Sequence, residues 1–185
     1  MDAFRLVGKD LPFEAIVITG PLMEHEQRES LWRQAEGLPV RMLRYVTNWG
    51  FMNAADLVVT MAGYGTLLDA IRLRKRILVI PREGPSAEQR LRAEAFSRLG
   101  LVQVIRPEQF SPASDLAKAI LDNLDAGPLT SVPLSMDGLT QAIHHMRSLL
   151  QPDTVQPRSR AVGITRCRRG DEADSSRLSS IICFR

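Results

Sequence analysis

Short apolar runs alternate along the chain with longer segments in which apolar residues recur at helical spacing. The short runs predict five strands: Ala15–Thr19, Val40–Val46, Asp56–Met61, Ile77–Ile80 and Leu101–Ile105. The segments between and after them predict helices over Met23–Glu36, Asn48–Ala55, Thr66–Arg76, Ala87–Leu99, from Ser111-Pro112 to Gly127, and over Leu139–Leu150. Alternating strands and helices, with strands apolar on both faces, predict a doubly wound, Rossmann-like α/β domain around a parallel sheet.

Such sheets bind ligands in the crevice beyond the carboxyl ends of their strands. The loops to search for chemistry are therefore those that follow the strands: Gly20-Pro21, Val46–Trp49, Ala62–Thr66 and Pro81–Gln89. No Gly-x-Gly-x-x-Gly sequence follows the first strand, and the chain has no Walker A sequence. These absences argue against a dehydrogenase and against a P-loop phosphotransferase.

The loop Met61-Ala62-Gly63-Tyr64-Gly65-Thr66 leads from a strand into a helix through two glycines. A helix that starts here points free N–H groups and the positive end of its dipole at one place, which favours an anion such as a diphosphate. Asp69, one turn later, is placed to accept hydrogen bonds from ribose hydroxyls. The ordinary alternatives are a tight structural turn, a helix cap at Thr66 and a surface acid at Asp69.

The next loop, Pro81–Gln89, adds polar groups at the same predicted edge. Glu88 and Gln89 can accept hydrogen bonds from hydroxyls, and Arg82 can bind a phosphate or carboxylate with two N–H groups. The alternative for Arg82 is an ion pair with Glu83 or Glu88. The two loops together favour a site for sugar and phosphate.

Charge divides the chain at Gln151. Of 24 basic and 21 acidic residues, seven and four lie from Gln151 onward, which leaves 17 of each in residues 1–150. Residues 1–150 are thus predicted to form a neutral globular domain, and residues 151–185 a basic, disordered tail. A solvated tail is the favoured explanation, so no nucleic-acid partner is predicted.

Two further properties bear on location. No apolar run reaches the roughly 18 residues that span a bilayer, and the N-terminus lacks a signal-peptide pattern. The two cysteines, Cys167 and Cys183, have neither metal-ligand spacing nor a disulfide framework. The expectation is a cytoplasmic protein.

The ordered set of loops carries a resemblance to a known family. Residues from about 15 to 150 resemble the C-terminal, nucleotide-sugar-binding domain of two-domain GT-B glycosyltransferases of family 28, which include the peptidoglycan N-acetylglucosaminyltransferases. The segments that carry the resemblance are Thr19-Gly20-Pro21, Ala54-Ala55-Asp56-Leu57-Val58-Val59, Gly63-Tyr64-Gly65-Thr66, Pro81-Arg82 and Glu88-Gln89.

The resemblance implies a set of donor-binding residues: Gly63, Tyr64, Gly65 and Thr66 for the diphosphate, Asp69 for the ribose, Glu88 and Gln89 for the sugar, the backbone near Val46 for the base, and Gly20 and Arg82 in the adjoining loops. The substrate would be a nucleotide sugar, UDP-linked, with no metal and no other cofactor. The sequence departs from the family pattern at Ala62, where glycine is common, at Gly65, where a close subgroup has asparagine, and at Asp69, where glutamate is commoner.

The resemblance also implies a missing half, because GT-B enzymes place the acceptor and usually the catalytic base on an N-terminal domain. No residue here has a strong claim to be that base, since His25 and His144-His145 are predicted to lie on helix surfaces. The leading hypothesis is the donor-binding half of a hexosyl-transferring enzyme, acting with an acceptor half that can bring peripheral membrane contact. The alternatives are a non-catalytic remnant that acts through its tail and tryptophans, and half of a sugar-nucleotide epimerase.

Overall fold

The computed structural model describes residues 1–46, 50–82, 87–106 and 113–150, and the backbone of residues 180–184. Its strands are β1 (Glu14–Ile18), β2 (Val40–Leu43), β3 (Leu57–Thr60), β4 (Arg76–Val79), β5 (Gln103–Val104) and β6 (Ser180–Phe184). Its helices are α1 (Asp2–Asp10), α2 (His25–Ala35), α3 (Gly50–Ala54), α4 (Tyr64–Arg72), α5 (Glu88–Arg98), α6 (Ala113–Asp125) and α7 (Gly138–Leu150). The predicted positions Asn48, Ser111 and Pro112 lie outside the described residues.

The strands form one sheet in the order β2-β1-β6-β3-β4-β5. β1 is parallel to β2, and β4 is parallel to both β3 and β5. β6 is antiparallel to β1 on one side and to β3 on the other, so β1 to β5 all run in one direction. The predicted Rossmann-like α/β fold is confirmed, since all five predicted strands are present and helices connect them.

β6 was not predicted. Residues 151–185 were expected to be a disordered tail, and the structure instead places Ser180–Phe184 between β1 and β3. The physical reason is the short apolar, β-branched run at 181–184, which suits a strand that is paired on both sides. The overall polarity of the tail concealed this run. The assignment is corrected for these five residues, and residues 151–179 lie outside the described part.

The N-terminal helix α1 was also not predicted. It buries Ala3, Phe4 and Val7 on one face and packs against α6, and Phe4 stacks on Phe13 with ring centroids 5.3 Å apart. Alternate residues of the strands complete this side of the core: Ala15, Val17, Leu57, Val59 and Leu78. The intervening strand residues are buried too, on the face where α4 packs against β3 and β4. The sheet is therefore covered on both faces.

Helix α4 begins two residues before the predicted start and ends four before the predicted end. Its end is set by Arg74, which has a left-handed φ of +56°. The N–H of Arg74 donates to the carbonyl of Ile71, and that of Lys75 to the carbonyl of Ala70, both at 2.9 Å. This is the Schellman pattern, with arginine where glycine is usual.

The chain divides into two compact units, Met1–Val132 with Ala173–Arg185, and Pro133–Glu172. The first unit contains the sheet and every predicted donor-binding residue. The second contains α7, whose residues are all exposed. The predicted domain of residues 1–150 grouped α7 with the sheet.

Among the residues that the structure describes, no helix has both the length and the apolar character needed to cross a membrane.

Candidate functional site

The carboxyl ends of four parallel strands lie level at one edge of the sheet. Ile18 pairs with Leu43, and Thr60 pairs with Val79. Ser180 pairs with both Ile18 and Thr60, so the carboxyl ends of β1 and β3 lie at the same height on either side of β6. Neighbouring strands lie about 5 Å apart, so the ends of β1 and β3 are about 10 Å apart across this edge. The predicted donor-binding loops therefore share one edge of the sheet.

The glycine turn after β3 presents backbone donors at this edge. Gly63 is the N-cap of α4, and its carbonyl accepts the N–H of Leu67 at 2.9 Å. An α-helix leaves the N–H groups of its N-cap and first three residues without partners inside the helix. Here those groups belong to Gly63, Tyr64, Gly65 and Thr66, and Gly63 has no side chain to cap them. They are the four residues predicted to cradle a diphosphate.

Ala62 sets the shape of the turn. It is completely buried and has a left-handed φ of +66°. This conformation costs a residue with a Cβ atom roughly 1–2 kcal/mol and costs glycine little. A glycine at this position would remove that cost.

Helix α4 also positions Thr66 and Asp69. Its inner face buries Leu67, Ala70 and Ile71 against the sheet. Thr66 and Asp69 are half-buried and lie three residues apart, so they share a face of the helix outside that core. Thr66 is the third residue of the helix, not the cap that the alternative interpretation proposed. Asp69 lies one turn behind the exposed donors, as the sequence predicted.

The loop after β4 is tied to the start of α5. The side-chain oxygen of Gln89 accepts the backbone N–H of Arg82 at 3.3 Å. Glu88, the first residue of α5, has a side chain 71% exposed and forms an ion pair with Arg92. Glu83, the other acid considered as a partner for Arg82, lies outside the described residues.

Arg92 is a residue of this site that the sequence reading missed. Its side chain is only 16% exposed, and Nη1 donates to the carbonyl of Ala62 at 2.7 Å. Its guanidinium carbon also lies 5.4 Å from the centroid of the Tyr64 ring, within the range of a cation–π interaction. The Glu88–Arg92 spacing of four residues could have indicated the ion pair. Nothing in the sequence indicated the contacts with Ala62 and Tyr64.

The loops after β1 and β2 are joined to each other. Gly20 is buried with a left-handed φ of +83°, which glycine adopts without strain. Arg44 donates to the carbonyl of Pro21 at 3.0 Å, and the Thr19 hydroxyl donates to the carbonyl of Leu43 at 3.4 Å. Val46 is half-buried at the end of the second loop. Gly20 and Val46 thus lie on adjoining loops, as the prediction requires.

The histidines and Trp32 lie on α2 and α7. His25 is exposed on α2, 3.7 Å from Glu29, and His144 and His145 are exposed on α7. Trp32 is 61% exposed and borders a cleft of about 610 Å³. That cleft is formed by α2 and β2, away from the loops after β3 and β4: Trp32, Arg33, Ala35, Glu36, Val40, Arg41 and Met42. Trp49 lies outside the described residues.

Residues 2–131 match the glycosyltransferase family 28 C-terminal domain. The matched segment contains α1 and every predicted donor-binding residue, and it ends one residue before the boundary of the first compact unit at Val132. The chain belongs to this family. As a family 28 C-terminal domain, it is related to transferases of glycosyl groups.

Two curated relatives of this family 28 domain carry the same name, UDP-N-acetylglucosamine--N-acetylmuramyl-(pentapeptide) pyrophosphoryl-undecaprenol N-acetylglucosamine transferase. The protein from Clostridium kluyveri is 35% identical over 75 residues, which are 40% of this chain and 20% of the relative. The protein from Streptococcus uberis is 30% identical over 104 residues, 54% of this chain and 26% of the relative. The chain therefore aligns with about a quarter or less of each relative.

A solved structure shares the fold. The glycosyltransferase of kitacinnamycin superposes with a TM-score of 0.52 over 80% of this chain and 34% of its own, at 19% sequence identity. At this identity the likeness establishes the α/β architecture of the family 28 domain.

Proposed function

We propose that this chain is the donor-binding half of a glycosyltransferase, which holds a nucleoside-diphosphate sugar while its hexosyl group passes to an acceptor. One observation carries the proposal. In a domain of a glycosyltransferase family, the four N–H groups that α4 leaves without intrahelical partners belong to Gly63, Tyr64, Gly65 and Thr66. These groups form a cluster of donors at the edge where α/β sheets bind their ligands.

The diphosphate lies over the first turn of α4 in this proposal. Backbone N–H groups and the positive end of the helix dipole compensate its charge, and Arg82 supplies a further cation from the neighbouring loop. During transfer, the bond between the anomeric carbon and the diphosphate oxygen breaks, and the electron pair stays with that oxygen. The same N–H groups stabilise the negative charge that develops there. Binding of the donor is proposed to need no divalent metal.

The other parts of the donor extend from this point. Asp69 lies one helical turn, about 5.4 Å, behind the N–H donors and accepts hydrogen bonds from the ribose hydroxyls. Glu88 and Gln89, at the start of α5, contact the sugar. The base lies along the adjoining loops near Gly20 and Val46.

The nucleotide and the acceptor half are proposed from the relatives. Both curated relatives are named as transferases that use UDP-N-acetylglucosamine, so we propose a UDP-linked hexose as donor. Their names also include a lipid-linked acceptor, a pyrophosphoryl-undecaprenol. We propose that the acceptor site and the base that deprotonates the acceptor come from outside this domain, and that any membrane contact is made there.

Calorimetric titration with UDP in the presence of EDTA tests the proposal. The chain should bind UDP, and Asp69→Ala should weaken binding about tenfold or more, the usual effect of losing hydrogen bonds to a charged group. Asp122→Ala is the matched control, because Asp122 is an exposed acid on α6. Absence of binding at millimolar UDP, with or without magnesium, would contradict the proposal.

A further inference from the structure

The geometry points to Arg92 as a positioning residue. It holds the turn after β3 and the start of α5 in the arrangement that binds the nucleotide sugar. The inference rests on the proposed function, which it extends from the groups that touch the donor to one that acts through them. Arg92 lies on α5, yet its guanidinium group reaches the turn after β3. Three contacts converge on this one group.

The first contact fixes the direction of the N–H donors. Nη1 of Arg92 donates to the carbonyl of Ala62 at 2.7 Å. Ala62 is the strained, left-handed residue directly before Gly63, so its conformation sets where the first turn of α4 points. A hydrogen bond from a cation is among the stronger ones available to a carbonyl, and this one is largely shielded from water. Arg92 thus offsets the backbone strain at Ala62.

The second contact controls charge. Glu88 places a negative charge near the proposed diphosphate, and two anions in one crevice repel each other. The ion pair with Arg92 compensates the Glu88 carboxylate and orients it. Glu88 can then accept hydrogen bonds from a sugar without opposing the diphosphate. Arg92 therefore lowers the electrostatic cost of an acid at this edge.

The third contact places the Tyr64 ring. The guanidinium lies 5.4 Å from the ring centroid, so one face of the ring is occupied by α5. Tyr64 as a whole is 64% exposed, which leaves it available to a ligand. Lysine cannot replace these contacts together, because a single ammonium lacks the planar fork that reaches two acceptors while stacking on a ring.

Four variants titrated with UDP and with uridine test this role: Arg92→Met, Arg92→Lys, Arg92→Met with Glu88→Gln, and the control Arg90→Met. Arg90 is an exposed arginine on the same helix. Arg92→Met should weaken UDP binding about tenfold or more while uridine binding, which involves no diphosphate, stays unchanged. Adding Glu88→Gln should recover part of the loss, because the carboxylate that Arg92 pairs with is then gone. A residue of purely structural importance would not be rescued in this way.

The outcomes separate the inference from the proposed function. UDP binding that is equal in Arg92→Met and Arg90→Met would overturn the role of Arg92 and leave the proposed function intact. If Arg92→Met does not fold, Arg92→Lys tests the inference instead. Wild-type UDP affinity in Arg92→Lys would overturn the claim that a forked guanidinium is needed. If the wild-type chain binds no UDP, the proposed function fails, and hydrogen exchange of the Leu67 amide, which donates to the carbonyl of Gly63 directly after Ala62, tests Arg92 alone. Arg92→Met should speed that exchange and Arg90→Met should not, and equal rates would overturn the inference.

Discussion

The side-chain oxygen of Gln89 accepts the backbone N–H of Arg82 at 3.3 Å, so the first turn of α5 is tied to the chain just after β4. One end of the Gln89 amide thus has a structural role. Because the oxygen already accepts this N–H, we expect the proposed contact with the donor sugar to be made by the other end, the NH₂ group, which donates to a sugar oxygen. A substitution that keeps the accepting oxygen and removes the NH₂ group separates the two roles.

Gln89→Glu is that substitution, because a carboxylate oxygen still accepts the Arg82 N–H. We expect an unchanged unfolding midpoint. The preference for UDP-N-acetylglucosamine over UDP should fall by about three- to tenfold, the range for one neutral hydrogen bond. The added charge repels UDP, which carries the greater negative charge, at least as strongly as UDP-N-acetylglucosamine, so charge alone cannot produce a fall in this preference. An unchanged preference would show that Gln89 serves the loop alone.

Gly63 offers a test in which stability and binding move in opposite directions. A Cβ atom built there meets no atom within 4 Å, and either Asp or Asn at an N-cap accepts N–H groups of the first helical turn. Gly63→Asp and Gly63→Asn should both stabilise the fold by roughly 0.3 kcal/mol in urea unfolding.

Both Gly63 variants should bind UDP more weakly, because the new side chain competes for the same donors. Gly63→Asp should bind UDP about tenfold or more weakly than Gly63→Asn, since only the carboxylate repels a diphosphate. The two side chains have nearly the same size, so this difference isolates charge. Equal UDP affinities in the wild type and both variants would place the diphosphate elsewhere.

The strand pattern and the loop after β3 were predictable because their causes are local. An apolar run such as Leu57–Thr60, followed by two glycines and an amphipathic segment, predicts a strand, a turn and a helix without knowledge of the rest of the chain. The common direction of the strands then places their loops at one edge. The family resemblance rested on the same local segments, and the match over residues 2–131 confirms it.

The remaining features depend on contacts that are distant in sequence or contrary to local preference. The hydrogen bond between Arg92 and Ala62 joins residues 30 positions apart. Ala62 and Arg74 have positive φ angles that local propensity assigns to glycine. β6 is a short run that pairs with β1 and β3, both of which are distant in sequence. Such features become visible only when the fold brings the residues together.

Arg74 gives a prediction about stability alone. It occupies the left-handed position at the end of α4, where glycine avoids the clash of Cβ with the backbone. Arg74→Gly should therefore stabilise the protein by up to about 1 kcal/mol. The backbone strain that glycine relieves is expected to exceed the conformational entropy that it adds to the unfolded chain.

The matched control for Arg74 is Arg72→Gly, two residues earlier and at the last helical residue of α4. It removes the same side chain but should destabilise the protein by up to about 1 kcal/mol. Urea unfolding measures both, and UDP affinity should change little in either. Destabilisation by Arg74→Gly equal to that of Arg72→Gly would contradict the assigned conformation.

The central claim is that the N–H groups of Gly63, Tyr64, Gly65 and Thr66 bind the diphosphate of a nucleotide-sugar donor. The most direct measurement is a nuclear magnetic resonance titration of isotope-labelled protein, in which UDP and uridine are added in turn and each backbone amide is followed. We predict that UDP shifts these four amides most strongly, and that uridine, which has no diphosphate, leaves them nearly unchanged. Equal shifts with uridine, or UDP-induced shifts confined to other regions such as the cleft beside Trp32, would contradict the account.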